Sequence, residues 1–223
     1  MKRLLVYDLD GTLLETLPDL RTAANLAFLE LGHPPADLER TRAAIGDGAR
    51  SLIQRLLPPG SSESEVDLAL ERFHFHYRDV CTQSSTERTG ALDFVRRRAA
   101  TSPAIQVVLT NKPQAPTDRL LDHLGFRPPI THAVGGDTTW GRKPDPAGLW
   151  ELMRRAGASP ATTLMIGDGP ADLAVAQAAG VRSVRLDGGY GEADLLDRLP
   201  STWRVGSFEA LESIWGGIET ALA

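Results

Sequence analysis

Short apolar runs, each bounded by Gly, Pro or Asp, recur along the chain at Arg3–Asp8, Ile105–Thr110, His132–Gly135, Thr163–Gly167 and Arg182–Leu186, with a weaker one at Trp203–Val205. Their brevity and their Val, Ile and Leu content predict buried strands. Helical spacing fills the intervals between the later runs. Leu120, Leu121 and Leu124 share a face within Thr117–Leu124, and further helices are expected over Pro146–Ala156, Ala171–Ala179 and Ser207–Leu222. Gly125, Gly157 and Gly180 stand just past three helix ends, where a positive φ costs glycine little. Strand and helix in alternation predict an α/β fold around a parallel sheet with right-handed crossovers. Ligands of such sheets sit at the carboxyl ends of the strands, so those ends are where chemistry is to be sought.

Residues from about Leu14 to Gln83 break the alternation. They predict helices at Leu17–Leu31, Leu38–Ile45, Ala49–Leu57 and Glu63–Val80, with the linker Pro58-Pro59-Gly60-Ser61-Ser62 before the last. These helices either form an insertion able to move as a lid, or pack on one sheet face within a single core. So long an all-helical interruption of a regular pattern favours the insertion, which divides the chain into a core of residues 1–14 and 84–223 and a cap of residues 15–83. A chain of 223 residues, 42% hydrophobic, is long enough for one domain carrying a smaller one.

Charge and cysteine content narrow the partners. A formal net charge of −5 argues against broad binding to nucleic acid or to an anionic membrane. The single cysteine, Cys81, excludes an intramolecular disulfide and reads as a buried thiol. The apolar run after Lys2 and Arg3 ends at Asp8, too short for a signal-peptide core, and no run approaches the roughly 18 residues of a membrane span. A cytoplasmic protein, monomer or homodimer, is the expectation. His74 and His76 lack metal-ligand spacing, and Arg96-Arg97-Arg98 reads as a solvated helix face.

The strand ends carry the candidate chemistry. The first closes on Asp8-Leu9-Asp10-Gly11-Thr12, where residues two apart present two carboxylates to one side and Gly11 permits a tight turn. Like charges so close attract a divalent cation. Alone, the segment could equally be an Asp-Gly turn. The next strand closes on Leu109-Thr110-Asn111-Lys112-Pro113, whose hydroxyl and amide either donate to phosphate oxygens or cap a helix. Gly141-Arg142-Lys143-Pro144-Asp145-Pro146 sets Lys143 just outside a helix start. The chain holds 21 arginines but only three lysines, Lys2, Lys112 and Lys143, so Lys143 is expected to serve where a compact ammonium is needed rather than a planar fork, the alternative being a solvated charge flanking the helix. Ile166-Gly167-Asp168-Gly169-Pro170-Ala171-Asp172 offers two carboxylates, the ligand type magnesium prefers, though both could cap a helix. Carboxylates, phosphate donors and a lysine at one sheet edge are harder to attribute to independent caps.

In these four motifs the sequence resembles the haloacid dehalogenase superfamily, in its phosphoglycolate phosphatase-like branch. Leu17-Pro18-Asp19-Leu20 and Ile45-Gly46-Asp47-Gly48-Ala49-Arg50 extend the resemblance more loosely into the cap. The chain departs from the family pattern at Arg88-Thr89-Gly90, where Tyr-Pro-Gly is usual, and at Gly169, commonly Ser. The resemblance implies a Rossmann-like core and a magnesium-dependent phosphatase acting on a small phosphorylated metabolite. It implies Asp8 as nucleophile, Asp10 as acid and base, and Thr110 and Lys143 as holders of the phosphoryl oxygens. Magnesium would lie on the Asp8 carboxylate, the Asp10 carbonyl and Asp168, with Asp172 supporting the metal or Lys143. Gly11, Thr12 and Asn111 are expected at the substrate. In the cap, Gly46 and Arg50 flank a helix N-terminus that could receive an anion such as 2-phosphoglycolate; the alternative is an ordinary loop with Asp47 as N-cap and Arg50 on the surface. Pyrophosphatase, sugar-phosphate phosphatase or mutase, and nucleotidase activities would use the same core. A dehalogenase would need neither the second acid nor the metal. A non-enzymatic binding protein would not need the retained nucleophile and lysine.

Overall fold

The computed structural model describes residues 2–101 and 104–223. In chain order the elements are β1 (Leu4–Tyr7), β2 (Leu14–Glu15), α1 (Leu17–Glu30), α2 (Leu38–Ala44), α3 (Ala49–Leu56), α4 (Glu63–Val80), β3 (Thr86–Glu87), α5 (Ala91–Thr101), β4 (Ile105–Leu109), α6 (Gln114–His123), β5 (His132–Val134), α7 (Ala147–Ala156), β6 (Thr163–Gly167), α8 (Pro170–Ala178), β7 (Arg182–Leu186), α9 (Ala193–Leu196), β8 (Trp203–Val205), α10 (Phe208–Ser213) and α11 (Trp215–Ala221). Six strands form one parallel sheet in the order β5-β4-β1-β6-β7-β8.

β1 lies in the middle of the sheet because both its faces are apolar. Leu4 and Val6 join a cluster with Leu149, Leu152 and Met153 of α7 and Val175 of α8. Leu5 and Tyr7 join the opposite cluster with Phe94 and Val95 of α5, Leu120 and Leu121 of α6, and Phe208 of α10. Period-two alternation thus puts successive side chains into two separate helix layers. A strand buried on both faces leaves only its end to face solvent, and that end is Asp8.

Helices α1 to α4 pack on one another around a cluster of their own, including Ala23, Ala27 and Phe28 of α1 and Ala69, Phe73 and Tyr77 of α4. Small residues on α1 let α4 approach closely. Cys81 is buried in the same cluster. The chain leaves the core and returns through the antiparallel pair β2–β3, with Leu14 opposite Glu87 and Glu15 opposite Thr86. Two residues per strand give no periodicity, which is why the sequence does not announce this ribbon.

Asp19 secures the same junction. Its buried carboxylate accepts from the backbone N–H groups of Ser84 and Ser85 and from the Ser85 hydroxyl, at 2.7–3.0 Å. Truncation would leave those donors unpaired. Asp19→Ala is expected to cost about 2–4 kcal/mol. At roughly 2–4 °C per kcal/mol for a chain of this size, the melting temperature should fall by about 4–16 °C. An unchanged melting temperature would mean the junction holds without Asp19.

Further details differ from the sequence reading: α5 and α9 form where it expects no named element. The last predicted helix, Ser207–Leu222, is broken at Ile214 into α10 and α11; Gly217 N–H closes a short turn on the Ile214 carbonyl at 3.1 Å, and Gly216-Gly217 is poor helix-forming sequence. The arginine triplet is not uniformly solvated. Arg96 and Arg97 are exposed, whereas Arg98 is buried against Phe94 and Trp215 and donates to Glu212 at 2.8 Å. Among the described residues no helix is long and apolar enough to cross a membrane.

Candidate active site

Asp8 extends from β1, its N–H still bonded to the Ile166 carbonyl of β6 at 2.9 Å. That bond fixes the carboxylate beside the end of β6, where Asp168 emerges. Asp168 is held from two sides: Thr12 Oγ1 donates to Oδ1 at 2.5 Å, and the Tyr190 N–H donates to Oδ2 at 2.7 Å. Asp172, in the first turn of α8, accepts from Gly169 N–H at 2.9 Å. Lys143, from the loop before α7, places Nζ 2.7 Å from Asp8 Oδ1 and 2.6 Å from Asp172 Oδ1. Four chain segments remote in sequence therefore meet at one point.

Three carboxylates gather there, almost without solvent, with one ammonium that reaches two of them, Asp8 and Asp172. Burial, reinforced by Asp172 and opposed by Lys143, lifts the Asp8 carboxyl to about 7. Burial and the Asp8 charge lift Asp168 to about 6. Asp172 is also raised, burial outweighing the pull of Lys143. Burial by itself would weaken the Lys143 ammonium, but Asp172 and Asp8 more than offset it and hold it charged.

The residues fit a divalent cation. One oxygen from each of Asp8, Asp168 and Asp172 lies within 4.8 Å of the others. The set is all oxygen and negatively charged in excess of its lysine, as a hard cation such as magnesium requires. Raised carboxyl pKa values express the same excess. The surrounding backbone is shaped to these groups. A Cβ on Gly11, which has φ +84°, or on Gly189 would overlap Asp168 Oδ2, and one on Gly167 would overlap Asp172.

Asp10 faces elsewhere. Its carboxylate receives Thr16 Oγ1 at 2.6 Å and Lys112 Nζ at 2.9 and 3.2 Å. Asp8 and Asp10 thus stand on the border between two cavities. The outer one, about 480 Å³, is lined by Lys143, Asp168, Asp172 and Tyr190. The inner one is lined by Thr110, Asn111 and Lys112 from the core and by Gly48, Ala49 and Tyr77 from the cap.

Several expected roles change on this geometry. Arg50 does not reach either cavity; it pairs with Asp67 at 2.5 Å and with Glu63, both on α4 at the cap surface. Two nearby carboxylates hold it there. Thr12 does not face the substrate space but is buried under Asp168, which it orients. Gly11 likewise packs against Asp168 rather than lining a cavity. Asn111 spends its amide on the Gly46 carbonyl at 2.9 Å and the Lys143 carbonyl at 3.1 Å, joining the cap loop to the backbone of Lys143. Gly46 lines both cavities through that docked loop. Asp47 pairs with Arg55, and Gly48 takes the N-cap position of α3. Thr110 is buried at the inner cavity, its Oγ1 accepting from Lys112 N–H at 3.2 Å.

Three residues went unassigned in the sequence. Lys112 stands in the second strand-end motif and is one of three lysines, but received no role of its own. Tyr190 carries no motif, yet its hydroxyl accepts from the N–H groups of Thr16 at 2.8 Å and Leu17 at 3.0 Å while its own N–H holds Asp168, tying that carboxylate to the cap junction. Arg88, at the departure from Tyr-Pro-Gly, donates to the Gly11 carbonyl at 2.5 Å and to the Asp187 carbonyl, clamping the Asp8–Thr12 turn to the loop after β7.

This geometry is that of a recognisable hydrolase. The sequence pattern of the family described as haloacid dehalogenase-like hydrolase matches residues 5–186, and the chain belongs to that family. The relatives narrow the class. A phosphoglycolate phosphatase of Pseudomonas putida is 37% identical over 203 residues, covering 88% of this chain and 74% of that protein. A phosphoglycolate phosphatase of Rhodospirillum rubrum is 38% identical over 197 residues, covering 85% and 81%. Among solved structures, a predicted phosphoglycolate phosphatase from Haemophilus somnus superposes with a TM-score of 0.89 at 27% identity, covering 96% of this chain and 98% of that one. Phosphoglycolate phosphatases are phosphoric monoester hydrolases, and this chain is an enzyme of their family.

Proposed function

We propose that the chain is a magnesium-dependent phosphomonoester hydrolase that cleaves a small carboxylate-bearing ester such as 2-phosphoglycolate through an aspartyl phosphate on Asp8. One observation carries the reading: Asp8, Lys143, Asp168 and Asp172 converge on the outer cavity, whose facing wall is the cap segment with Ile45, Gly46 and Asp47.

Asp8, Asp168 and the Asp10 carbonyl would hold magnesium, with Asp172 supporting them, and the ion would supply charge neutralisation for the phosphoryl group. The rest falls to side chains. An Asp8 oxygen attacks phosphorus, and the ester P–O bond breaks as the new one forms. Lys143 and Thr110 hold phosphoryl oxygens, compensating the charge gathered at the nucleophile. Asp10, between the two cavities, gives a proton to the departing oxygen. It then takes one from the water that attacks the aspartyl phosphate, releasing inorganic phosphate and restoring Asp8. Lys112 and Thr16 fix its carboxyl at that border. Closure of the cap excludes bulk water from the intermediate.

The test is phosphate release from 2-phosphoglycolate with and without magnesium, together with acid-quenched single turnover to capture protein-bound phosphate. Magnesium-dependent turnover through an acid-stable, base-labile phosphoprotein supports the reading. Turnover that persists in excess chelator would refute it.

A further inference from the structure

The inner cavity holds two buried polar groups, Tyr77, to which the chemistry at Asp8 gives no part, and Lys112, whose part in it is to hold Asp10. Tyr77, on α4, lines it; the residue is 3% exposed and its hydroxyl has no hydrogen-bond partner. An unpaired buried hydroxyl is a cost that a ligand can remove. Lys112 is also buried, its Nζ 4.7 Å from the centre of the Tyr77 ring. Of its three N–H donors, Asp10 engages those directed at 2.9 and 3.2 Å. Gly48 and Ala49 close a third side. They open α3, an eight-residue helix whose N-cap, Gly48, offers no side-chain oxygen to the first free N–H groups. An ammonium, an unpaired hydroxyl and an uncapped helix start therefore border one small space next to the nucleophile, the rest of whose wall is largely apolar, with Leu20, Ile45, Leu52 and Phe73. Apart from Asp10, which Lys112 already pairs, no carboxylate lines it beyond Asp8 itself.

Size limits the occupant. With the cap in this position the free space is about 50 Å³. One water needs roughly 10–15 Å³ measured the same way, so the space takes a group of about three to five heavy atoms. A carboxymethyl group fits and a sugar ring does not.

We propose that this inner cavity is a carboxylate subsite, in which Lys112 and the Tyr77 hydroxyl, with the start of α3, receive the carboxylate of the leaving group and set the enzyme's preference for short phosphorylated hydroxy acids. The proposal rests on the phosphatase reading and moves the anion-recognition role from Arg50, which is engaged at the cap surface, to Lys112 and Tyr77. Both residues act on specificity. Tyr77 belongs to the cap and Lys112 to the core, so the substrate carboxylate would join the two when the cap is docked.

The experiment compares 2-phosphoglycolate with ethyl phosphate, which has the same reach and no carboxylate, on the wild-type enzyme and on Tyr77→Phe and Lys112→Met. The wild-type enzyme should prefer 2-phosphoglycolate in kcat/KM. Tyr77→Phe removes only an unpaired hydroxyl, so its melting temperature should not fall. Its kcat/KM on 2-phosphoglycolate should drop about 10-fold, mainly through KM, with ethyl phosphate changed less than about twofold. Lys112→Met should lower kcat/KM on 2-phosphoglycolate by about 100-fold or more and bring the ratio of the two substrates near one. A role confined to folding or to holding Asp10 would lower both substrates together, which overturns the subsite. So does a wild-type enzyme that turns over both esters equally, an outcome that leaves the phosphatase reading standing. If neither ester nor p-nitrophenyl phosphate is hydrolysed, the phosphatase reading itself falls and takes the subsite with it.

Discussion

Asp8→Asn is expected to lower turnover of any phosphate ester by more than about 10⁴-fold while leaving the protein folded and, in chelator at pH 8, at least as stable as the wild type. The first part follows from the chemistry, since an amide oxygen neither attacks phosphorus effectively nor carries the negative charge that a metal and Lys143 neutralise. The second follows from electrostatics. Burial and the neighbouring Asp172 already push the Asp8 carboxyl to about 7, so the folded state disfavours its charge. Asparagine has nearly the shape of the protonated acid. It removes one of three mutually repelling groups, and Lys143 keeps its 2.6 Å contact with Asp172. Chelated wild type and variant compared by thermal denaturation, alongside p-nitrophenyl phosphate turnover, test both parts. Residual activity above about 1% would displace Asp8 from the nucleophile's role. A lower melting temperature would mean that the Asp8–Lys143 pair outweighs the repulsion among the acids.

What the sequence could convey was set by how many residues each feature spans. Short apolar strands closed by Gly or Asp announce themselves: the five-residue Thr163–Gly167 and Arg182–Leu186 and the three-residue Trp203–Val205 have the bounds their composition predicts. The 18-residue α4 does too, because Ser62 and Glu65 form a capping box at its start. The ribbon β2–β3 has two residues per strand and no pattern to read. The core carboxylates and Lys143 were legible because topology delivers every strand end to the same edge. The cap side was not. Whether Arg50 faces a substrate or α4 depends on which partner lies closer, and Glu63 and Asp67, one turn apart on α4, settle that by packing rather than by motif. Tyr77 reads as an ordinary apolar-face residue of a helix; its missing hydrogen-bond partner exists only in three dimensions. Arg88 shows the same limit. In the sequence it marks only a departure from the family's Tyr-Pro-Gly segment, whereas in the fold its guanidinium clamps the Gly11 carbonyl.

Removing the ammonium should be harsher on the fold than removing the nucleophile. Lys143→Met is expected to abolish turnover and to destabilise the chelated protein by about 3–5 kcal/mol at pH 8, because it strands buried carboxylates without their cation. At roughly 2–4 °C per kcal/mol, the melting temperature falls by about 6–20 °C. The loss should shrink as the pH is lowered. A carboxyl whose folded pKa lies above its unfolded value near 4 keeps a proton in the folded state that the unfolded chain has released, so stability falls as pH rises through that window. With Asp8 at about 7 and Asp168 at about 6 even beside Lys143, the window runs from about 4 to about 7 in the wild type, and loss of the lysine extends it upward. Magnesium should recover part of the loss by binding only the folded form, about 2.7 kcal/mol at a hundredfold excess over its dissociation constant. Lys143→Arg should not restore activity, since a planar fork cannot meet Asp8 and Asp172 where a single Nζ reaches both within 2.7 Å. Melting temperatures measured from pH 5 to pH 8, with chelator and with magnesium, decide the matter. A Lys143→Met protein whose stability is flat across that range and indifferent to magnesium would show that the three acids do not repel one another in the folded state, and the case for a cation between them would go with it.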